Sequence, residues 1–133
     1  MPGRFFDTNI LIYLASADSD RADQAEALLA GGGVVSVQVL NEIANVCRRK
    51  MRLSWPETHM FLTTIRDLVN VVPVTIETHE TGLELSERYG LSTYDAMILA
   101  AAVLEGCETV LSEDMQRGFR IGSLRIENPF EAT

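Results

Sequence analysis

The chain has 133 residues, 47% of them hydrophobic and 23% charged, and a formal net charge of −8 at pH 7. This length and composition indicate an ordinary soluble globular protein with enough chain to bury a real core. The acidic balance argues against nonspecific binding to nucleic acid.

The start of the chain and its apolar runs argue against a membrane or export segment. No apolar run reaches the ~20 residues that span a bilayer, and Asp7 and Asn9 interrupt the stretch where a signal peptide is apolar. We therefore expect a cytoplasmic protein with no membrane contact. Cys47 and Cys107 lie in apolar helical patterns, so we expect two buried thiols rather than a disulfide framework or a zinc cluster.

Strand patterns alternate with helix patterns along the chain. In chain order they predict strand 4–7, helices 8–16 and 19–30, strand 33–36, helices 37–51 and 54–70, strand 71–74, helices 76–89 and 91–106, strand 109–112, and a last strand within 123–130. Such alternation predicts an α/β fold with a parallel sheet covered on both faces. The segment 96–104 is apolar on all sides, so its helix should be central and buried.

Four acidic residues fall at or near the predicted carboxyl ends of strands. Asp7 ends the first strand, and Glu42 lies in the helix that follows the second. Asp95 starts the buried helix, and Asp114 follows strand 109–112. Ligands of open α/β sheets bind beyond the carboxyl ends of strands. Elements far apart in sequence would therefore direct these carboxylates to one edge of the sheet.

Each acidic residue also has a purely structural interpretation. Asp7 could stabilise a helix N-terminus, Glu42 could lie on the surface, and Asp114 could cap a turn. Ser92 and Asp95 match a capping box. Together, however, neighbouring carboxylates near the core need a counter-charge, and no lysine or arginine adjoins Asp7 or Asp95. A hard divalent cation such as Mg²⁺ or Mn²⁺ would supply it.

The sequence around these acids resembles a known family. The matching motifs are "FDTNILIYL" with Asp7, "SVQVLNEI" with Glu42, "YDAMILAAAV" with Asp95 and "VLSEDMQ" with Asp114. Over the whole chain they resemble the PIN-domain ribonucleases and, within them, the VapC-type toxins of toxin–antitoxin pairs. The resemblance implies a single PIN domain over residues 1–133. Its fold would be a three-layer α/β/α sandwich with a central parallel sheet of four to five strands.

The resemblance also implies the residues of the active site. Metal binding and catalysis would fall to Asp7, Glu42, Asp95 and Asp114, and their support to Thr8, Asn9 and Ser112. Glu113 is not included, because the residue before the last acid varies in the family. The cofactor would be Mg²⁺, or Mn²⁺ in its place. One ion would activate a water, and a second, ~4 Å away, would stabilise the departing oxygen.

The implied function is that of a metal-dependent endoribonuclease that hydrolyses RNA phosphodiester bonds and acts as a toxin. Its substrate would be a tRNA, rRNA or mRNA, and its products would carry 5′-phosphate and 3′-hydroxyl ends. Such proteins usually form homodimers and bind a small antitoxin in a groove of the early helices. Candidate apolar contacts to the antitoxin are Leu11, Ile12, Leu14, Leu40, Trp55 and Phe61, although most of these would equally suit the core.

A basic segment interrupts the acidic chain. It contains Arg48, Arg49, Lys50 and Arg52, and it follows Glu42 by about two helical turns. These cations could contact RNA phosphates, meet an acidic partner or remain solvated.

Other functions fit the sequence less well. The main alternative is a PIN-fold nuclease that acts in RNA maturation or on DNA, without an antitoxin. A phosphoacceptor domain would need a lysine near a late strand, and the one lysine is Lys50. A phosphatase of the D-x-D type would need an acid where Asn9 stands. A catalytically inactive binding module is disfavoured because all four acids are present.

Overall fold

The computed structural model describes residues 3–130, and six strands of this part form one sheet. The strands are β1 (Arg4–Phe6), β2 (Val34–Ser36), β3 (Asn70–Val72), β4 (Thr109–Leu111), β5 (Arg120–Ile121) and β6 (Leu124–Glu127). Their order across the sheet is β3-β2-β1-β4-β6-β5. The first five in this order run parallel, and β5 pairs antiparallel with β6 at the edge.

Six α-helices in the described part of the chain connect and cover the strands. They are α1 (Thr8–Ile12), α2 (Ser19–Ala30), α3 (Val37–Arg49), α4 (Trp55–Leu68), α5 (Ile76–Tyr89) and α6 (Thr93–Leu104). The predicted α/β class, with a central parallel sheet between helices, is therefore confirmed. Among the described residues, no helix has both the length and the apolar character needed to cross a bilayer.

The main differences from the sequence prediction are one additional strand and two elements that end early. The two-residue strand β5 was not predicted, because so short a segment carries no periodic pattern. Strand β3 ends at Val72 because Pro73 has no N–H to donate to a neighbouring strand. The first helix ends at Ile12 and continues only as a single 3₁₀ turn, Tyr13–Ala15, rather than as an α-helix to residue 16.

The core lies between the middle strands and helix α6. Phe5 and Phe6 of β1 are fully buried, and every residue from Ala96 to Ala102 of α6 is buried. The burial of this stretch agrees with the prediction that α6, which is apolar on all sides, is central. Cys47 and Cys107 are buried free thiols, as predicted.

Candidate metal centre

The strand order reverses next to β1. From β1 the chain builds β2 and β3 on one side, whereas β4 pairs with the other side of β1. The backbone N–H of Asp7 continues this pairing by donating to the carbonyl of Leu111 at 2.9 Å. Asp7 and Ser112 therefore leave adjacent strands side by side, at the kind of crevice where open α/β sheets bind ligands.

Asp7 is the buried member of the site, with 5% of its surface exposed. Its Oδ1 accepts the N–H of Thr8 at 2.7 Å, and its Oδ2 accepts the hydroxyl of Ser112 at 2.7 Å. Burial nevertheless raises the pKa of Asp7 to about 6, and the nearby charges of Glu42 and Asp95 act in the same direction. Asp7 both caps α1 and carries a carboxylate whose ionised form lacks a positive partner among its hydrogen-bond donors.

Asn9 links the first acid to the last. Its Nδ2 donates to Asp7 Oδ2 at 3.2 Å and to Asp114 Oδ2 at 3.0 Å. The amide is oriented from the other end, because its Oδ1 accepts the N–H of Glu113 at 3.1 Å. Asn9 therefore holds the exposed carboxylate of Asp114 close to the buried carboxylate of Asp7.

Glu42 is held by two side chains at the start of neighbouring helices. The hydroxyl of Thr8 donates to Glu42 Oε1 at 2.9 Å, and Gln38 Nε2 donates to Glu42 Oε2 at 2.9 Å. Gln38 precedes Glu42 by one helical turn of α3, which places the two side chains on one face. Thr8, which directly follows Asp7, thus connects the start of α1 to Glu42 of α3.

Asp95 lies in the first turn of α6, where Ser92 caps the helix by accepting the N–H of Asp95 at 3.2 Å. The reciprocal half of a capping box is not formed here, so the Asp95 side chain does not return to the helix end. The sequence suggested that Asp95 lies near the core, but it is exposed. The buried part of α6 begins one residue later, at Ala96.

All four predicted acids line one cavity of about 410 Å³. The remaining lining residues are Thr8, Asn9, Ile12, Tyr13, Val46 and Lys50. The four carboxylates and the hydroxyls of Thr8 and Tyr13 supply the side-chain oxygens of this cavity, which suits a hard cation such as Mg²⁺ or Mn²⁺. Of the predicted supporting residues, Thr8 and Asn9 reach the cavity, and Ser112 acts from behind it through Asp7.

Hydrogen bonds from neighbouring groups reach three of the four carboxylates of this cavity, those of Asp7, Glu42 and Asp114. Within residues 3–130, no three acidic, histidine or cysteine side chains stand in the arrangement of a complete metal site. The amides of Asn9 and Gln38 and the hydroxyl of Thr8 hold Asp7, Glu42 and Asp114 instead. A carboxylate oxygen that accepts one hydrogen bond keeps a lone pair for a cation, so these hydrogen bonds can orient the acids while they bind a metal ion.

Gln38 and Tyr13 belong to the surroundings of the acids, and no sequence motif indicated either residue. The spacing of four residues between Gln38 and Glu42 could have indicated a helical pair. Tyr13 donates its hydroxyl to Glu113 Oε1 at 2.7 Å, which directs that acid away from the cavity and raises the pKa of Tyr13. Glu113, which was not included in the predicted site, is not among the residues that line the cavity.

The residues of the basic segment have different surroundings. Lys50 lines the acidic cavity. Arg48 instead lies over the ring of Trp55, 4.3 Å from its centre, and donates to the carbonyl of Leu53 at 2.5 Å. Arg49 and Arg52 are exposed. Lys50 is therefore the member of this segment that contributes to the cavity wall.

The six candidate apolar contacts to an antitoxin differ in how deeply they are buried. Leu11 is fully buried and belongs to the core, and Trp55 has 57% of its surface exposed. The other four, which are Ile12, Leu14, Leu40 and Phe61, are half-buried and pack against the core. Most of this set thus serves the core, and Trp55 is the member most available to another molecule.

Comparison with solved structures agrees with the fold. A toxin–antitoxin complex from Klebsiella pneumoniae contains a similar chain, with 25% identity, a TM-score of 0.73, and coverage of 98% of this chain and 100% of that one. The sarcin–ricin loop cleaving toxin VapC20 of Mycobacterium tuberculosis matches with 24% identity, a TM-score of 0.69 and coverage of 84% and 92%. DNA-bound VapBC from Salmonella typhimurium matches with 20% identity, a TM-score of 0.71 and coverage of 97% and 99%.

Sequence comparisons assign the family. No curated protein sequence matches the chain. The PIN domain family model matches residues 4–120, a range that includes all four acids of the cavity. The chain therefore belongs to the PIN domain family, a family of nucleases.

Proposed function

We propose that this protein is a metal-dependent endoribonuclease and the toxin of a cytoplasmic toxin–antitoxin pair. The observation that carries the proposal is the convergence of Asp7, Glu42, Asp95 and Asp114 on one cavity at the reversal of strand order. Buried and nearby carboxylates disfavour one another's ionisation unless a cation joins them. Asp7 also caps α1, but local roles of this kind do not explain why four acids so far apart in the chain line the same cavity.

The four acids would hold Mg²⁺, or Mn²⁺ in its place. Asp7 and Asp95 are proposed as direct ligands, Asp114 as a ligand reached directly or through water, and Glu42 as a residue that binds a second ion or orients the water. When bound, the cation would lower the pKa of a water and offset the charge of the phosphodiester. Supporting residues would keep the carboxylate oxygens aimed at the cavity.

The supporting hydrogen bonds suggest what each neighbour contributes. Ser112 and the N–H of Thr8 hold the two oxygens of Asp7. Asn9 restrains Asp114, which would otherwise be a free surface side chain. Lys50, at the rim of the cavity, offers an ammonium group that could attract the phosphate of an RNA chain.

An antitoxin and a second copy of the chain are the proposed protein partners. The similar chain in the Klebsiella pneumoniae toxin–antitoxin complex matches over nearly its full length. FitAcB of Neisseria gonorrhoeae, with 15% identity, contains a chain with a similar fold. Trp55 would be a suitable apolar contact for an antitoxin, because its ring is exposed beside the helix that carries Glu42.

Two experiments test the proposal. In the first, the purified protein is incubated with RNA and Mg²⁺ or Mn²⁺, and we expect internal cleavage with 5′-phosphate ends that EDTA and Asp7→Asn abolish. Glu84→Gln, which removes an exposed acid of α5, serves as the matched control and should cleave normally. Absence of cleavage by the unaltered protein, or cleavage that survives in Asp7→Asn, would contradict the nuclease assignment.

In the second, the chain is expressed alone in a bacterial host. Growth should stop with the unaltered protein and continue with Asp7→Asn. Equal growth with both proteins, or equal arrest, would remove the main support for the toxin role. Cleavage of RNA in vitro without growth arrest would favour a nuclease of the same fold with another role.

A further inference from the structure

A second cavity lies over the strands β1, β4 and β6, beside α2. Its volume is about 490 Å³, and it shares no lining residue with the cavity of the four acids. Its charged residues are three arginines and one glutamate, which are Arg4, Arg117, Arg125 and Glu127. This arginine cavity is therefore basic, although the chain as a whole has a net charge of −8.

The pairing of the strands places two of these arginines in one row. Arg4 of β1 pairs with Thr109 of β4, and Thr109 pairs with Arg125 of β6. Side chains of paired residues project from the same face of a sheet. Arg4 and Arg125 are thus two strand spacings apart, or roughly 10 Å, on one face. Both side chains are long enough to contact the same short ligand.

Arg4 carries a positive charge that no acid neutralises. Its Nη2 donates to the carbonyl oxygens of Leu28 and Gly32, at 2.5 and 3.0 Å, near the end of α2. Both acceptors are uncharged, and Arg4 forms no ion pair in the part of the chain that the structure describes. The two carbonyls fix the guanidinium group, and its N–H groups on Nη1 and Nε remain for a ligand.

Arg125 already binds one carboxylate and has room for another. Its Nη2 lies 2.8 Å from Oε1 of Glu127, two residues along the same strand. Its Nε is buried and has no hydrogen-bond partner among the described residues. A buried N–H without an acceptor is costly, and the fork of N–H groups on arginine matches the two oxygens of a carboxylate. Glu127 therefore satisfies only part of this side chain.

The rest of the wall favours a carboxylate beside apolar groups over a phosphate chain. Apolar surface around the arginines comes from four residues, which are Leu28, Leu111, Ile126 and Pro129. A sugar–phosphate backbone is polar throughout, and the net negative charge of the protein repels a long polyanion more than a short peptide. A peptide in which glutamate adjoins leucine supplies both the charge and the apolar surface.

We propose that the arginine cavity is a docking site for an acidic segment of a partner protein, in which carboxylate side chains adjoin apolar ones. Arg4 and Arg125 bind the carboxylates, and the apolar wall covers their neighbours. A carboxylate of the partner accepts from Nε of Arg125 and competes with Glu127. The inference goes beyond the proposed function, because the arginine cavity contains none of the four acids.

The test uses NMR titration of the isotopically labelled full chain with the peptide acetyl-Leu-Glu-Glu-Leu-amide. We expect saturable shifts of the Nε–H signals of Arg4 and Arg125 and of the backbone N–H signal of Gly118, which lines the same cavity. The neutral peptide acetyl-Leu-Gln-Gln-Leu-amide should bind about tenfold more weakly or less, because hydrogen bonds between charged groups are the stronger ones.

Two substitutions should change the affinity for the glutamate peptide in opposite directions. Arg125→Gln should weaken binding about tenfold. Glu127→Gln should strengthen it about 2- to 5-fold, because the internal carboxylate no longer competes. Arg120→Gln, which removes an exposed arginine of β5 outside the cavity, is the matched control and should bind normally. Thermal melts verify that each variant is folded.

Several outcomes would overturn the proposal. They are the absence of saturable shifts, equal affinity for the two peptides, normal binding by Arg125→Gln, and weaker binding by Glu127→Gln. Inorganic phosphate and an unstructured RNA are titrated in the same way in EDTA. If either shifts the arginine signals at a lower concentration than the glutamate peptide does, the cavity is a phosphate site and the proposal fails. RNA cleavage is measured separately, so failure of the nuclease assignment leaves this result intact.

Discussion

Ser112 donates a buried hydrogen bond of 2.7 Å to Asp7 across 105 positions of sequence. The same hydroxyl accepts the backbone N–H groups of Asp114 and Met115 at 3.2 and 3.1 Å. One small side chain therefore positions the first acid of the cavity and shapes the turn that carries the last.

Replacement of Ser112 by alanine should affect both stability and metal binding. Two backbone N–H groups would lose their acceptor and Asp7 a donor, so the free energy of unfolding should fall by about 1–3 kcal/mol. Mn²⁺ affinity should fall about tenfold, as is typical when a group that orients a ligand is removed. Urea unfolding and metal titration measure the two effects. Ser123→Ala, at an exposed serine, is the control, and equal behaviour of both variants would refute this role of Ser112.

Asp7 should make the stability of the metal-free protein depend on pH. Because burial raises its pKa to about 6 from 3.8, the folded protein holds this proton more tightly than the unfolded chain does. The stability contribution is therefore largest below about pH 4 and is lost as the pH rises to about 6, by at most about 3 kcal/mol.

The Asp7→Asn protein should not show this loss of stability between about pH 4 and 6, because its side chain does not titrate. Urea unfolding in EDTA at a series of pH values would compare the slopes of stability against pH for the two proteins. The absolute stabilities are less informative, because the substituted amide accepts fewer hydrogen bonds than the carboxylate that now accepts from Ser112 and Asn9. Parallel curves for the two proteins between about pH 4 and 6 would show that Asp7 does not titrate in this range.

Asn9→Ala tests the link between the first and last acids. Without the amide, Asp114 loses a hydrogen bond of 3.0 Å and its carboxylate is free to turn to solvent. We expect RNA cleavage and Mn²⁺ affinity to fall about 10- to 100-fold, with little change in melting temperature. Gln116→Ala, at an exposed amide in the following turn, should leave both unchanged. An Asn9→Ala protein as active as the Gln116→Ala control would contradict the proposed link.

Two glycines should differ in their tolerance of a methyl group. A Cβ at Gly33 would lie 2.1 Å from the ring of Phe6 and 3.0 Å from the carbonyl oxygen of Arg4, neither of which can easily move. A Cβ at Gly82 would meet the flexible side chain of Met97.

Gly33→Ala should therefore lower the free energy of unfolding by about 2–3 kcal/mol through overpacking. Gly82→Ala should change it by less than about 1 kcal/mol, because better helix propensity offsets the contact. Urea unfolding measures the stability of both variants. A larger loss of stability in Gly82→Ala than in Gly33→Ala would contradict the close packing of Gly33 against β1.

The sequence patterns were sufficient for the fold class and for the location of the four acids at one edge of the sheet. Strand–helix alternation predicted the parallel sheet, and the apolar run after Asp95 predicted a buried helix. The edge strand β5 was not predicted, because a segment of two residues is too short to show a periodic pattern. The exposure of Asp95 also could not be read from its neighbours, since a helix N-terminus can leave the core within a single residue.

The hydrogen bonds of the site depend on tertiary register. The contact of Asn9 with Asp114 requires Phe6 to pair with Leu111, and no local sequence signal encodes that pairing. Likewise, Lys50 and Arg48 looked equivalent in the basic segment. Helical geometry directs Lys50 to the cavity and leaves Arg48 over Trp55.

The most direct test of the central claim is titration of Mn²⁺ into the purified protein by calorimetry at neutral pH. The account predicts saturable binding by the unaltered protein and by Glu84→Gln, with affinity at least tenfold weaker in Asp7→Asn. No saturable binding by the unaltered protein, or equal affinity in Asp7→Asn, would contradict the claim that these separated carboxylates form a divalent metal site.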